Sequence, residues 1–182
     1  MQLNEEDWDL GSAGPINLPG TSLLFVAGKP SDTGDVGYLM MEGHLGGVGR
    51  GAFSGQVCPD GGDFGANASD VVGKGKKART FVYAPCGSGT EAIQVTTSPK
   101  KFRRVWSPST GFPNGPPIVA GGIVWALDYL RDELYGMSPA TGHVVYRKPT
   151  DELEHFATPG FGDDMLLIPT AAGVEAFRTS SR

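Results

Sequence analysis

The sequence holds few of the groups that usually carry chemistry. Its 182 residues include two cysteines and three histidines. Cys58 and Cys86 stand 28 positions apart with no CxxC, which excludes the common zinc and dithiol patterns. No apolar run approaches the ~20 residues a membrane-crossing helix needs. Positive charge is not in excess: 15 Lys and Arg face 20 Asp and Glu, for a net charge of −5. There is thus no electrostatic case for nucleic acid or an anionic membrane surface. Uninterrupted helical stretches are missing too. The 28 glycines and 14 prolines punctuate the whole chain, and inside a helix they cost about 1 and about 3 kcal/mol each. The segment Met1 to Leu10 carries Glu5, Glu6 and Asp7 and has no basic start followed by an apolar stretch. It does not read as a secretory signal, so the expectation is a protein kept inside the cell or part of a longer chain.

What is present is a series of short apolar runs, in a chain 39% hydrophobic. Four stand out: Leu23 to Ala27, Phe81 to Ala84, Ile123 to Leu127 and Met165 to Ile168. Each is rich in β-branched or aromatic residues and bounded by turn residues, the pattern of a strand covered on both faces. A second strand follows each after a tight turn: Gly37 to Met40, Glu91 to Val95, Glu133 to Met137 and Val174 to Phe177. Further strands are expected at Phe102 to Trp106 and Val144 to Arg147.

These strands repeat. Val82, Val124 and Leu166 are spaced by 42 and 42. Pro85, Leu127 and Pro169 keep that step, as do Glu91, Glu133 and Glu175; Gly89 and Gly173 lie two steps apart. The earliest unit, around Leu24, sits 58 before Val82 and needs an insertion, which Gly43 to Lys77 supplies. A period near 42 with several antiparallel strands per unit is the signature of a β-propeller blade. A β-sandwich also has many short strands, but no such register. The expected fold is all-β: a propeller of four-stranded antiparallel blades in one domain, with units at about 14–54, 66–110, 111–150 and 151–178.

Two stretches carry a family resemblance. Gly115-Pro116-Pro117-Ile118-Val119-Ala120-Gly121-Gly122-Ile123-Val124-Trp125-Ala126-Leu127-Asp128 resembles the blade opening of the pyrroloquinoline-quinone (PQQ)-like repeat family. Leu134 to Arg147 resembles that family's docking motif, A-x-D-x-x-T-G-x-x-x-W. Thr141 and Gly142 match it; Gly136 stands at the Ala position, Ser138 at the Asp and Tyr146 at the Trp. The resemblance implies that the Thr141-Gly142 turn and Tyr146 lock neighbouring blades, with Trp106 in the same role in the preceding unit. The family includes quinone-dependent alcohol and sugar dehydrogenases, which hold PQQ over calcium beside an adjacent cysteine pair. It also includes scaffold lipoproteins of outer-membrane assembly. No adjacent cysteine pair exists here, and no Asp sits in a quinone-site motif. The expectation is a non-catalytic scaffold with no cofactor; PQQ and calcium belong to the dehydrogenase alternative, and a solute-binding propeller is a third reading.

Four units fall short of the usual ring, and the last stops after Val174 to Phe177. The expectation is therefore an incomplete ring, the C-terminal portion of a longer propeller. Its partner is then a protein or the remaining blades. Met1 to Leu10, with a single Trp8, is a poor closing strand. A four-bladed closed ring is the competing reading.

The remaining motifs have plain readings. Gly47 to Ala52 spells G-x-G-x-x-A, but no helix pattern follows, so it reads as a loop. His143 is expected in a solvated turn and His155 in an exposed loop rather than lining a channel. Asp60-Gly61-Gly62-Asp63 reads as a polar turn rather than a calcium site. The basic runs Lys74, Lys76, Lys77, Arg79 and Lys100, Lys101, Arg103, Arg104 read as solvated strand borders. Asn67-Ala68-Ser69 fits the glycosylation pattern. For Cys58 and Cys86 two readings stay open, a disulfide or two buried thiols. A bridge would contribute roughly 3 kcal/mol and imply an oxidising compartment, hence an extracytoplasmic parent chain.

Overall fold

Four antiparallel sheets follow one another along the chain in the computed structural model, which describes residues 13–29, 36–45, 52–59, 62–63, 65–107 and 115–178. The first sheet contains β1 (Ile16–Asn17), β2 (Leu23–Ala27), β3 (Val36–Met41) and β4 (Phe53–Gln56). The second contains β5 (Ala68–Val72), β6 (Arg79–Cys86), β7 (Gly89–Thr97) and β8 (Lys100–Trp106). The third contains β9 (Ile118–Ala120), β10 (Ile123–Asp128), β11 (Glu133–Met137) and β12 (Val144–Pro149); the fourth contains β13 (Gly160–Gly162), β14 (Met165–Thr170) and β15 (Gly173–Arg178). Chain order is sheet order in each, with every neighbour antiparallel. No α-helix occurs among the described residues. Met1 to Leu10, the glycines at 47, 49 and 51, and Asp60 lie outside them.

The four apolar runs are the second strands β2, β6, β10 and β14. They are apolar on both faces because successive side chains point to opposite sides of a strand, and the second and third sheets each lie between two others. Phe81 and Tyr83 pack towards the third sheet, against Val124, Ala126 and Met137. Their neighbours Val82 and Ala84 pack the other way, against Phe25, Ala27 and Leu39 of the first sheet. β10 repeats the pattern: Val124 and Ala126 face the second sheet, while Trp125 and Leu127 face Leu166 and Ile168 of the fourth. The core is thus three successive seams, each between consecutive sheets. Each fully buried Leu, Ile or Phe in them contributes about 1.5–3 kcal/mol.

The short first strands lie side by side. β1 packs beside β5 and β5 beside β9, and the Ser69 hydroxyl donates to the Asn17 carbonyl at 2.8 Å. The last strands β4 and β8 pack together on the other flank. Wedges joined at one side in this way form a propeller-like array, but the four sheets do not close into a ring.

The sequence register does not survive everywhere. Glu91 opposes Ala84 and Glu175 opposes Ile168, at equivalent places, but Glu133 opposes Asp128, two places away. The turns between second and third strands explain this. Gly87-Ser88 and Ala171-Ala172 are two-residue turns, whereas β10 and β11 are joined by the four residues 129–132. The equal spacing of Glu133 is therefore accidental. Tyr135 is the residue that occupies the Glu91 position.

Candidate functional site

The seams bring the expected docking residues together in a definite way. Trp106, at the end of β8, is 7% exposed and donates its indole N–H to the Pro139 carbonyl in the third sheet at 2.9 Å. The Tyr83 hydroxyl donates to the same carbonyl at 3.3 Å. Burial, with the Asp70 charge adding to it, pushes the Tyr83 phenol well above its usual range, so it stays protonated as a donor. The turn it reaches is closed by the Gly142 N–H donating to the Ser138 carbonyl at 2.9 Å. Gly142 has φ +69°, and a β-carbon there would lie 2.5 Å from the Trp106 ring. Both the backbone and the indole therefore demand glycine.

Tyr146 is placed differently. It is 39% exposed, with its ring edge-on to Trp125 at 5.5 Å. Gly136 opposes Tyr146 across the β11–β12 pair, and a β-carbon on Gly136 would lie 2.8 Å from the Trp125 ring. The bulky Trp125 thus explains why position 136 holds glycine. In the second sheet the equivalent pair is Ala92 and Trp106, and both sheets shift register just after this position. The first sheet supplies a third member that sequence reading missed: Phe53 opposes Leu39 and meets Phe102 of the second sheet edge-on at 5.0 Å. It was hidden because the loops of the first unit differ in length from those of the others.

Cys58 and Cys86 form a disulfide, with Cα atoms 5.4 Å apart. Cys58 follows β4 and Cys86 ends β6, so the bond ties the connection leaving the first sheet to the second strand of the next. Both are 1% exposed, inside the first seam.

The end of the array carrying the β10–β11 turn holds an exposed aromatic cluster. Asp128 shapes the turn: its carboxylate accepts from the Leu130 N–H at 3.0 Å and from Arg131 at 2.9 Å. Asp132, at φ +53°, then fastens the turn to the connection before β13, accepting from the Leu153 N–H at 2.8 Å. These bonds project Leu130 outward, 67% exposed. The Glu154–Ala157 turn projects His155 and Phe156 beside it. His155 Nε2 lies 3.1 Å from the Tyr129 hydroxyl, and its ring is 4.5 Å from that of Tyr129 and 3.9 Å from that of Phe156. Phe156 is 48% exposed at φ +68°, a conformation bulky residues rarely adopt and one that concentrates at binding sites. Sequence reading placed His155 on an exposed loop but missed its partners, since they come from a turn 26 residues away.

Beside this cluster, Arg147 donates to both Glu133 oxygens at 2.9 and 2.7 Å, and the Tyr135 hydroxyl donates to Glu133 at 2.7 Å. The Arg147 bonds foremost hold the Glu133 carboxyl below its ordinary 4.5. Burial and the Glu133 partner push the Tyr135 phenol up to about 12.

The other sequence motifs are dispersed. His143 and the basic runs around Lys76 and Lys101 are exposed. Asn67 is buried, with neither amide atom paired to another protein group, so its glycosylation pattern is not an accessible acceptor. Asp63 is fully buried. Among the described residues no three His, Cys, Asp or Glu side chains are grouped to hold a metal ion, and no helix is long and apolar enough to cross a membrane.

No family model matches the chain, and no curated protein matches it in sequence. Among solved structures it is similar to BamB from Moraxella catarrhalis, a β-propeller of the PQQ-like repeat family, with a TM-score of 0.61 and 12% identity. That match covers 92% of this chain and 49% of BamB. The computationally designed Ika8 protein matches with a TM-score of 0.53 and 13% identity, over 92% of this chain and 45% of that one. The chain thus spans about half the length of these structures. At such identities the likeness establishes architecture, and with the three seams it makes this chain an all-β array of propeller blades, open rather than ringed.

Proposed function

We propose that the protein is a non-catalytic PQQ-like repeat propeller that works as a protein-interaction scaffold, with Tyr129, Leu130, His155 and Phe156 as its contact platform. The observation that carries this reading is the platform itself. Two short turns, fastened to each other through Asp132 and Leu153, hold apolar and aromatic side chains out in water. Loops on a rigid frame are where binding function concentrates, and exposed aromatics anchor interfaces. Thr141, Gly142, Trp106 and Tyr146 serve in this reading as blade-docking residues, and the open faces of the array are covered by a protein partner or by further blades. The Cys58–Cys86 bond favours an oxidising, extracytoplasmic setting.

Two experiments test the proposal. A photo-crosslinking residue at position 156 is expected to give a defined protein adduct in the native host, lost in Leu130→Asp; the same probe at Lys76, at the other end, is expected to give none. Equal labelling from both positions would overturn the platform. Reconstitution with PQQ and calcium, followed by dye reduction on alcohols and aldoses, is expected to show no turnover. Substrate-dependent reduction would replace the scaffold reading with the dehydrogenase one. A solute-binding propeller would instead show small-molecule ligand density bound between the first strands.

A further inference from the structure

The second sheet concentrates positive charge at one end. Eight of the chain's 15 lysines and arginines fall between Lys74 and Arg104, and the one acid in that span, Glu91, is 1% exposed. All eight side chains are exposed, and none is ion-paired among the described residues. Arg131 and Arg147, by contrast, pair with Asp128 and Glu133. Topology gathers the eight. The β5–β6 turn holds Lys74, Lys76 and Lys77, and the β7–β8 turn leads into Lys100 and Lys101. Both turns lie at the end opposite the aromatic platform, and β5 and β8 stand three strand spacings apart, about 14 Å. The β5–β6 turn is tightly fixed. The Lys77 N–H donates to the Lys74 carbonyl at 3.1 Å, and Arg79 donates to the Lys76 and Ala78 carbonyls at 2.9 and 2.8 Å. Arg103 and Arg104 continue the charge down β8.

A cleft of about 300 Å³ opens beside Lys100, between the first and second sheets, lined by Ser22, Leu23, Met41, Thr97 and Lys100 among others. Leu23 and Met41 give it an apolar wall. The Thr21 hydroxyl at its edge is occupied, donating to the Leu18 carbonyl at 2.8 Å and accepting from the Leu23 N–H at 3.1 Å. The Ser22 and Thr97 hydroxyls and the Lys100 ammonium have no side-chain partner among the described residues. An opposing carboxylate, Glu42, stands near the rim, its N–H donating to the Ser22 carbonyl at 3.1 Å, against the eight cations.

We propose that this cleft and the basic end of the second sheet bind an acidic polysaccharide, one sugar unit in the cleft with its anionic group on Lys100 and the chain running across the turns towards Lys76 and Lys77. Free hydroxyls beside an apolar wall suit a sugar ring, and lysines are mobile point charges that suit a repeating anion. The net charge of −5 repels polyanions from the rest of the molecule, so attraction is confined to this end. A flat bilayer would reach the turns but not Arg103 and Arg104 along β8, whereas a flexible chain follows both. The oxidising setting favoured by the Cys58–Cys86 bond is also that of extracellular glycans. The site lies on a sheet flanked by the first and third, far from the platform. It rests neither on that platform nor on what adjoins the ends of the chain.

Titration calorimetry with a short oligogalacturonate tests this. Binding is expected at low salt and is expected to weaken steeply as sodium chloride is added. Lys100→Ala combined with Lys101→Ala is expected to weaken it roughly 10-fold, and Thr97→Val, which removes a hydroxyl and no charge, about 3-fold. Polyglutamate of equal charge carries carboxylates without sugar hydroxyls; it is expected to bind more weakly and to ignore Thr97→Val. Should the double variant misfold, protection of Lys100 from an amine-acetylating reagent by oligogalacturonate reads the same contact in the wild type. Absence of binding, a Thr97→Val variant that binds the sugar as the wild type does, or unprotected Lys100 would each overturn the proposal. Equal binding of polyglutamate would reduce the site to a bare charge patch, and tighter capture by phosphatidylglycerol vesicles would replace the polysaccharide with a lipid surface. None of these readings depends on the crosslink expected at position 156.

Discussion

Single side chains decide the seams. Gly142 combines a left-handed backbone with an indole packed where a β-carbon would sit, so Gly142→Ala is expected to cost about 1–3 kcal/mol. A chemical-denaturation midpoint equal to that of the wild type would show that Trp106 does not stack there. Glu133 sets an acid limit. Its carboxyl is held below 4.5, chiefly by Arg147, so the stabilisation is complete above its unfolded-state value and lost as pH falls through the lower folded one. Arg147 is about half exposed, so solvent screens the pair and the gain is small. Glu133→Gln is therefore expected to flatten the loss of stability as pH falls below the ordinary carboxylate range, read by urea melts; an unchanged slope would assign that loss to other carboxylates. At this scale the sequence was partly legible. Thr141-Gly142 shows in a motif, but the need for Gly136 shows only when Trp125 is seen leaning on it.

The elements repeat more faithfully than their loops. The β9–β10 and β13–β14 hairpins both turn on two residues with positive φ: Gly121 and Gly122 at +59° and +73°, Asp163 and Asp164 at +49° and +58°. Those angles suit glycine and asparagine better than aspartate. Replacing Asp163 by Asn is expected to raise the melting temperature slightly; a lower one would mean that this aspartate holds the turn by another bond. The second strands were readable because they are apolar on both faces, as inner layers must be. The first strands, as short as two residues in β1, were not, because so few residues carry no period. Glu133 shows the opposite hazard, a matching interval produced by a longer turn rather than by shared position. The disulfide acts at this level too. It closes a 28-residue separation, so reduction is expected to remove roughly 3 kcal/mol. Thiol titration in denaturant without reductant is expected to find no free thiol; two would contradict the bond.

For the whole molecule, the decisive feature is direction. The second and third sheets bury a front and a rear, and among Phe25, Tyr83, Trp125 and Leu167 the exposure rises only at the last. The 42-residue spacing made the array legible in the sequence. The turn-end platform was not, because Tyr129 and His155 meet only through the stacking of the third and fourth sheets. The most direct measurement of that stacking is a nuclear Overhauser spectrum of the folded chain. Successive wedges place the Trp106 ring against the Gly142 α-protons, Phe53 against Phe102 and Trp125 against Leu166, with the Gly142 protons shifted upfield by the indole. A spectrum without these cross-peaks, or one that instead joins the first sheet to the third, would mean the strands are woven into a single sandwich or barrel.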